Sequence, residues 1–139
     1  MKNNIFFEQI MSIFLFQHLA SPEVAFGSKN PDLLAQDFQF VFPIVGPLEK
    51  AEFCTIYGGF KMHEAFPNRA SNYFGFTVDP LEPNRVWFFA RSTMTHSGTL
   101  KFGSQHFPPT GKEIINTPQV LSMSFDNEGR CYKFTGGYR

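Results

Sequence analysis

A change of pattern near Ala70 constrains the fold of this chain more than any other feature. Before it, apolar residues recur mostly at helical spacings; after it, segments rich in β-branched and aromatic residues alternate with clusters of Gly, Pro, Asn and Asp. Such segments predict strands joined by turns. The predicted strands are Asn72–Val78, Arg85–Ser97, Lys112–Phe125 and Cys131–Tyr138. Helices followed by an antiparallel meander predict an α+β domain, with helices packed on one face of a curved antiparallel sheet.

The first of three predicted helices covers Ile5–Leu19, and apolar residues occupy more than one of its faces. The segment is too short for a membrane span, which needs about 20 apolar residues, and Glu8 interrupts it. A signal-peptide core is the alternative, since Lys2 precedes the run and Ala20 ends it. The apolar residues beyond one helical face need to be buried. They are predicted to pack within the fold or in a homodimer, or else to contact another protein or a membrane-embedded complex. The candidate docking residues are Phe6, Phe7, Phe14 and Phe16.

Two more helices and a strand are predicted in the N-terminal half. Asn30 is a candidate N-cap and Pro31 suits the first helical position, so a short second helix is expected there. Alternation of polar and apolar residues over 37–42 predicts a strand. The third helix is predicted over Leu48–Phe66. A kink or a close chain approach is expected at Gly58-Gly59, because each helical glycine costs about 1 kcal/mol against alanine.

Composition limits the class of protein. A chain of 139 residues suits one domain, 1–139. The chain has 12 basic and 12 acidic residues and no run of basic residues. It therefore lacks the positively charged surface that nucleic-acid binding requires, and nucleic acid is not predicted as a partner. Nineteen Phe residues exceed the needs of one small core, so some are expected to line a cavity or an interface. Cys54 and Cys131 are too few and too far apart for a zinc site or a disulfide framework, and no metal or cofactor is predicted.

Several motifs together resemble one superfamily. They are Asp32–Phe40, Arg85–Arg91, Thr95–Gly98, Pro109–Lys112 and Phe125–Arg130. In this order they resemble the SnoaL-like branch of the nuclear transport factor 2-like superfamily, with Asp32–Phe40 similar to its second helix and Arg85–Arg91 to its central strand. The resemblance implies a cone-shaped fold whose curved sheet and helices enclose a mostly apolar pocket. Members usually continue beyond the last strand, so it also implies a chain truncated there.

His96 is the first candidate for chemistry, because an imidazole titrates near neutrality and can shuttle a proton to a bound carbonyl or enol. A histidine hydrogen-bonded at a strand end is the structural alternative. Alternation along a strand places His96 on the same face as Ser92 and Met94, and Arg91 on the face of Trp87. Arg91 is a candidate to hold a carboxylate or a carbonyl, or to pair with an acidic residue on a neighbouring strand.

The resemblance also implies an acidic partner for such a histidine, on the strand after the Pro-Thr-Gly turn. Here residues 116–124 contain no carboxylate, and Glu113 lies only at the entry of that strand. Gln119 can position a ligand but cannot take a proton from carbon at neutral pH. Asp37 could supply a carboxylate from the other side, although a capping or solvent-facing role is favoured. Cyclase activity by the superfamily mechanism is therefore not favoured.

Two functions remain. The favoured one is a non-catalytic assembly module, whose open sheet face pairs with a second copy or a larger complex and whose Phe-rich first helix docks. The alternative is a small-molecule site, in a binding protein or in an isomerase or cyclase-type enzyme with His96 as proton shuttle. Its predicted lining is Phe40, Phe42, Tyr57, Trp87, Phe89, Arg91, Met94 and Gln119. The resemblance implies an intracellular, soluble or peripheral protein, in plastids because similar sequences are common in photosynthetic eukaryotes.

Overall fold

The structure is a computed structural model that describes residues 14–21, 25–59 and 61–138. A first helix, α1, covers residues 14–19, and two more follow as α2 (Lys50–Gly59) and α3 (Met62–Ala65). Short 3₁₀ turns lie at Ala25–Gly27 and Pro31–Leu33. The strands are β1 (Leu34–Val41), β2 (Leu48–Glu49), β3 (Tyr73–Val78), β4 (Arg85–Ala90), β5 (Thr93–Thr95), β6 (Leu100–Phe102), β7 (Gln105–Phe107), β8 (Glu113–Ile115), β9 (Gln119–Phe125) and β10 (Cys131–Tyr138).

The main sheet has six strands in the order β2-β1-β10-β9-β4-β3. β1 runs parallel to β10, with Phe40 opposite Phe134, whereas the other neighbouring pairs are antiparallel. The sheet is therefore mixed: the predicted antiparallel arrangement holds for four of its five strand pairs, and the β1–β10 pair is parallel. β1 precedes α2 in the chain, and its parallel partner is β10, the last strand described. α2 packs against β1, where the ring of Phe53 lies 5.1 Å from that of Phe38.

The predicted second helix is wrong, because it is a single 3₁₀ turn followed directly by β1. The side chain of Asn30 makes no capping hydrogen bond. The motif Asp32–Phe40 is thus mostly strand. Leu34 and Phe38 are buried in the core, and β1 is hydrogen-bonded to β10. Burial and ladder bonds outweigh the local helix-start signal, which is only a weak preference.

The predicted third helix is divided. Its first two residues form β2, which pairs with β1, and the following residues form α2 and α3. α2 ends at Gly59, within the glycine pair where a kink was predicted. Lys61, just before α3, has a left-handed φ of 45°. An L-residue in this conformation cannot continue a right-handed helix, so α3 starts as a separate helix.

The two long predicted strands are divided as well. Arg85–Ser97 forms β4 and β5, while Lys112–Phe125 forms β8 and β9. β5 and β8 pair with each other in a separate two-stranded sheet. The predicted turn over 98–111 contains a further hairpin of β6 and β7. The chain therefore leaves the main sheet after Ala90 and builds a second, smaller layer before it returns at Gln119.

The predicted alternation of side chains is confirmed across the break between β4 and β5. One face carries the buried side chains of Val86, Phe88, Ala90, Ser92, Met94 and His96. The members from β4 belong to the main core, together with Phe16 and Phe38. Met94 instead packs with Ala65 and Phe66 in a second, smaller cluster. One face of the predicted strand thus contributes to two separate cores.

The first helix joins the main core. Phe16 is 1% exposed, and its ring centroid lies 4.2 Å from that of Phe88. Its prediction as a docking residue was wrong, because its side chain is used inside the fold. Phe14 is 60% exposed, whereas Phe6 and Phe7 lie outside the described residues. Within the described ranges, no helix has the length and apolar character needed to cross a bilayer.

Candidate functional site

A cavity of about 160 Å³ lies where the main sheet meets α2 and the first 3₁₀ turn. Its lining is mostly aromatic and combines residues from β1, α2, β3, β4, β9 and β10. The lining residues are Phe26, Phe40, Phe42, Phe53, Tyr57, Arg69, Ser71, Tyr73, Phe88, Ala90, Ser92, Gln119, Leu121 and Phe134. A concave, largely apolar site with a few polar groups is the usual form of a small-molecule pocket.

The aromatic wall of the cavity is held by ring contacts. Phe40 and Phe42 stack with centroids 4.2 Å apart, and Phe42 also stacks on Phe134 at 5.4 Å. Gly136 in β10 permits this arrangement, because a Cβ there would collide with the Phe42 ring. Tyr57 of α2 completes the wall by stacking on the neighbouring ring of Phe53 at 5.2 Å. Such contacts fix the ring positions, so this part of the cavity is preformed.

A group of polar side chains also lines the cavity: Arg69, Ser71, Tyr73, Ser92 and Gln119. Burial raises the pKa of Tyr73, and this effect exceeds the opposing influence of the Ser71 side chain and of the Arg69 charge. Tyr73 therefore stays protonated at neutral pH and offers a hydrogen-bond donor in the same lining as Arg69.

The backbone before β3 places this polar group. Ala70 and Thr93 form an antiparallel bridge through two hydrogen bonds of 2.9 Å, and the Arg91 N–H donates to the Ser71 carbonyl at 3.1 Å. The segment 69–71 is thereby held along the break between β4 and β5. Because alternate residues of an extended chain share a face, Arg69 and Ser71 both line the cavity.

His96 lies outside the lining of this cavity. Its Nδ1 atom is 3.0 Å from the Thr110 hydroxyl, and its ring lies 5.4 Å from that of Phe66. Its Nε2 atom is buried with no hydrogen-bond partner among the described residues. A proton shuttle must come within about 3.2 Å of its ligand. The position of His96 therefore does not support a shuttle role for a ligand in this cavity.

The structure separates the predicted lining residues into two sets. Phe40, Phe42, Tyr57 and Gln119 line the cavity. Trp87, Phe89, Arg91 and Met94 do not, because Trp87 and Phe89 point to the other face of β4, Arg91 is exposed and Met94 belongs to the second cluster. Trp87 is held on that outer face by a 2.9 Å hydrogen bond from Nε1 to Asp79 and by the Arg85 guanidinium over its ring.

Most of the observed lining was not predicted. The additional residues are Phe26, Phe53, Arg69, Ser71, Tyr73, Phe88, Ala90, Ser92, Leu121 and Phe134. Strand alternation could have identified Phe88, Ala90 and Ser92, because they share the face that was assigned to His96. No pattern marks Arg69, since it lies in an irregular segment whose position depends on the pairing of Ala70 with Thr93.

The other candidate groups lie away from the cavity. Asp37 and Glu113 are exposed and are absent from the described lining. Cys54 and Cys131 are free thiols; burial raises the pKa of both, and that of Cys131 to about 12. No group of three or more His, Cys, Asp or Glu residues that could hold a metal ion occurs within the described part of the chain.

Solved structures share this architecture. A protein assigned as a SnoaL-like polyketide cyclase from Jannaschia sp. CCS1 matches with a TM-score of 0.64 and 17% identity, over 91% of this chain and 84% of that chain. A protein assigned as an isomerase of the SnoaL-like family from Agrobacterium tumefaciens str. C58 gives 0.57 and 14%, over 94% and 98%. A steroid delta-isomerase from Pseudomonas aeruginosa gives 0.55 and 15%, over 95% and 80%.

These likenesses show the fold. The chain has the cone-shaped α+β fold of the nuclear transport factor 2-like superfamily, and SnoaL-like proteins are among its structural neighbours, as predicted. No protein-family profile matches the sequence. No curated protein sequence matches it either. Because one fold serves many chemistries, the function has to be argued from the cavity.

Proposed function

We propose that this chain is a non-catalytic SnoaL-like domain that binds a small, largely apolar molecule in its cavity. The observation that carries the proposal is the composition of the lining, in which a preformed aromatic wall is combined with Arg69, Ser71, Tyr73 and Gln119. Apolar surface supplies most of the binding free energy in such sites, and a few placed polar groups orient the ligand. The cavity of about 160 Å³ suits a molecule of one ring, since an apolar cavity of about 150 Å³ holds benzene.

The ionisable side chains of the described lining favour binding over proton transfer. Arginine stays charged at physiological pH, and Tyr73 stays protonated because burial raises its pKa. Both groups donate hydrogen bonds, and neither is a base near pH 7. Abstraction of a proton would need a base within hydrogen-bond reach of the ligand. His96, the predicted shuttle, lies outside the lining.

The test fills the cavity without changing the rest of the core. Ala90 borders the cavity from β4 and is 3% exposed, so Ala90→Leu occupies the space a ligand would take. Val86→Leu is the matched control, because Val86 lies on the same face of β4 but outside the lining. Binding of p-cresol, a single ring with one hydroxyl, is measured by titration calorimetry, and circular dichroism checks that each variant is folded.

We expect p-cresol to bind the wild type and Val86→Leu, and to bind Ala90→Leu at least about tenfold more weakly, which corresponds to 1.4 kcal/mol. Equal binding by the wild type and Ala90→Leu would place the ligand elsewhere. Failure of the folded wild type to bind p-cresol at millimolar concentration would count against a single-ring site.

A second candidate function is assembly through the outer face of the main sheet. Phe74 is 48% exposed there and stacks on Phe89 of the neighbouring strand with ring centroids 5.3 Å apart. Phe89 is half-buried, so the two rings form a partly exposed aromatic pair, and aromatic side chains are enriched where protein surfaces pair with each other. On the first helix, Phe14 is an exposed member of the predicted docking residues.

The assembly proposal is tested by native mass, from size exclusion with light scattering in mild detergent. Phe74→Ser with Phe89→Ser should convert a dimer to a monomer, and Phe14→Ser should release the chain from a larger protein or membrane-embedded complex. Phe107→Ser is the control, since Phe107 is similarly exposed on the distant β6–β7 hairpin. A monomeric wild type in source extracts would contradict assembly. Fractionation of the same extracts tests the predicted plastid location.

A further inference from the structure

We propose that the ligand of the cavity is a small carboxylate with a single-ring apolar body, and that Arg69 binds its carboxylate group. The inference rests on the proposed function, because it names the chemical class of molecule that the same cavity accepts. Its starting point is that a cationic side chain borders a cavity whose wall is otherwise aromatic, aliphatic or uncharged.

Arg69 is available to an anion. None of the ion pairs among the described residues involves it, and no Asp or Glu belongs to the described lining of the cavity. The residue is exposed and also belongs to the cavity lining, so a ligand that enters from solvent can meet it. Tyr73, which stays protonated at neutral pH, lines the same cavity as Arg69, so the cation and a hydroxyl donor both border the space that a ligand would occupy. These observations make the polar part of the lining rich in donors, with a net positive charge.

The donor set matches a carboxylate. A guanidinium presents parallel N–H groups that bind both oxygens of a carboxylate, and hydroxyl groups can donate to the remaining lone pairs. Tyr73 and Ser71 supply such hydroxyls in the same lining as Arg69. The ring of the ligand would then lie against the aromatic wall that Phe40 and Phe42 form. A neutral amide of the same shape would lose the attraction to Arg69 but keep all of the ring contacts.

The size and charge of the site favour a carboxylate over a phosphate monoester. The cavity of about 160 Å³ leaves room for one ring and a small planar group. A phosphate carries up to two negative charges and is usually bound by several cations or by a row of backbone N–H groups. Arg69 is the single Lys or Arg residue in the described lining, and its one positive charge balances one negative charge on a ligand.

The experiment compares benzoate with benzamide, which have the same ring and nearly the same shape but differ in charge. Affinities are measured by titration calorimetry at pH 7 and low salt for the wild type, Arg69→Gln and Arg69→Lys. Arg91→Gln is the matched control, because Arg91 is an exposed arginine near the same strand break but outside the lining. Phenyl phosphate serves as the competing anion, and Ala90→Leu reports whether each probe occupies the cavity.

We expect the wild type and Arg91→Gln to bind benzoate about tenfold more tightly than benzamide, a modest factor because the guanidinium is solvated. Arg69→Gln should abolish this preference by weakening benzoate alone, and Arg69→Lys should restore part of it. Equal affinities in the wild type, a preference that survives Arg69→Gln, or tighter binding of phenyl phosphate would overturn the inference. If Ala90→Leu blocks both probes in that case, the proposed function stands without it. If neither probe binds the wild type, the inference fails, and the proposed function fails with it only if p-cresol does not bind either.

Discussion

Phe16 distinguishes a core role for the first helix from a docking role. Its ring is 1% exposed and lies with centroid distances of 4.2 Å from Phe88, 5.1 Å from Tyr73 and 5.3 Å from Phe76. Removing such a ring loses its burial and leaves a cavity, for which Phe→Ala substitutions cost about 3–5 kcal/mol. Because the contacts bridge α1, β3 and β4, the surrounding side chains have few ways to close the gap. We expect Phe16→Ala to lower the free energy of unfolding by this amount.

The assay is urea unfolding followed by circular dichroism, with Phe14→Ala as the control on the same helix. Phe14 is 60% exposed, so its substitution should change the free energy of unfolding by about 0.5 kcal/mol or less. The expected loss for Phe16→Ala corresponds to a fall in melting temperature of roughly 10–17 °C for a chain of this size. A loss below about 1 kcal/mol for Phe16→Ala, or equal losses for the two variants, would refute the packing of α1 on the sheet.

Three further predictions test other parts of the fold. Hydrogen bonds from Trp87 and from backbone N–H groups lower the pKa of Asp79 in the folded protein. The ionised carboxylate therefore stabilises the fold at pH values above its ordinary pKa of 3.8. This contribution is lost as the pH falls through the lower pKa of the folded state. The wild type should therefore have a higher urea midpoint of unfolding than Asp79→Asn at pH 7, and the two midpoints should be similar in strong acid. Unfolding is followed by the fluorescence of Trp87. In a thiol-labelling time course at pH 7.5, followed by mass spectrometry, Cys54 should be modified before Cys131. Cys131 is buried and its pKa is about 12, so little of its thiolate is present. Simultaneous labelling of the two thiols would contradict that burial. Gly58→Ala should raise the free energy of unfolding by up to about 1 kcal/mol, because its added Cβ meets open space on α2; a lower urea midpoint would contradict this.

The sequence predicted the parts of the fold that depend on local periodicity. Alternation over 85–97 correctly placed Val86, Phe88 and Ala90 on one face, which the structure shows to be buried, and the resemblance correctly implied the superfamily fold. The end of α2 at Gly59 was also indicated, since a kink was expected at Gly58-Gly59 because glycine weakens a helix. These features are encoded within a few residues, so a single sequence is enough to find them.

The parts that failed depend on partners distant in sequence. The segment that follows Pro31 is a strand because β10, about 100 residues later, pairs with it in parallel. No local pattern announces that partner, and the local helix-start signal points the other way. The polar side of the cavity was missed for the same reason, because Arg69 is positioned by the bridge between Ala70 and Thr93.

The misplacement of His96 follows from the break between β4 and β5. Alternation specifies which face of a strand a side chain occupies, but it doesn't specify what covers that face. After Ala90 the chain pairs with β8 instead of β9, so the same face that borders the cavity at Ala90 meets Ala65 and Phe66 at Met94. His96 is therefore buried on the predicted face but against a different core. The imidazole could approach the cavity only if β4 and β5 formed one continuous strand of the main sheet. The pairing of β5 with β8 opposes that rearrangement.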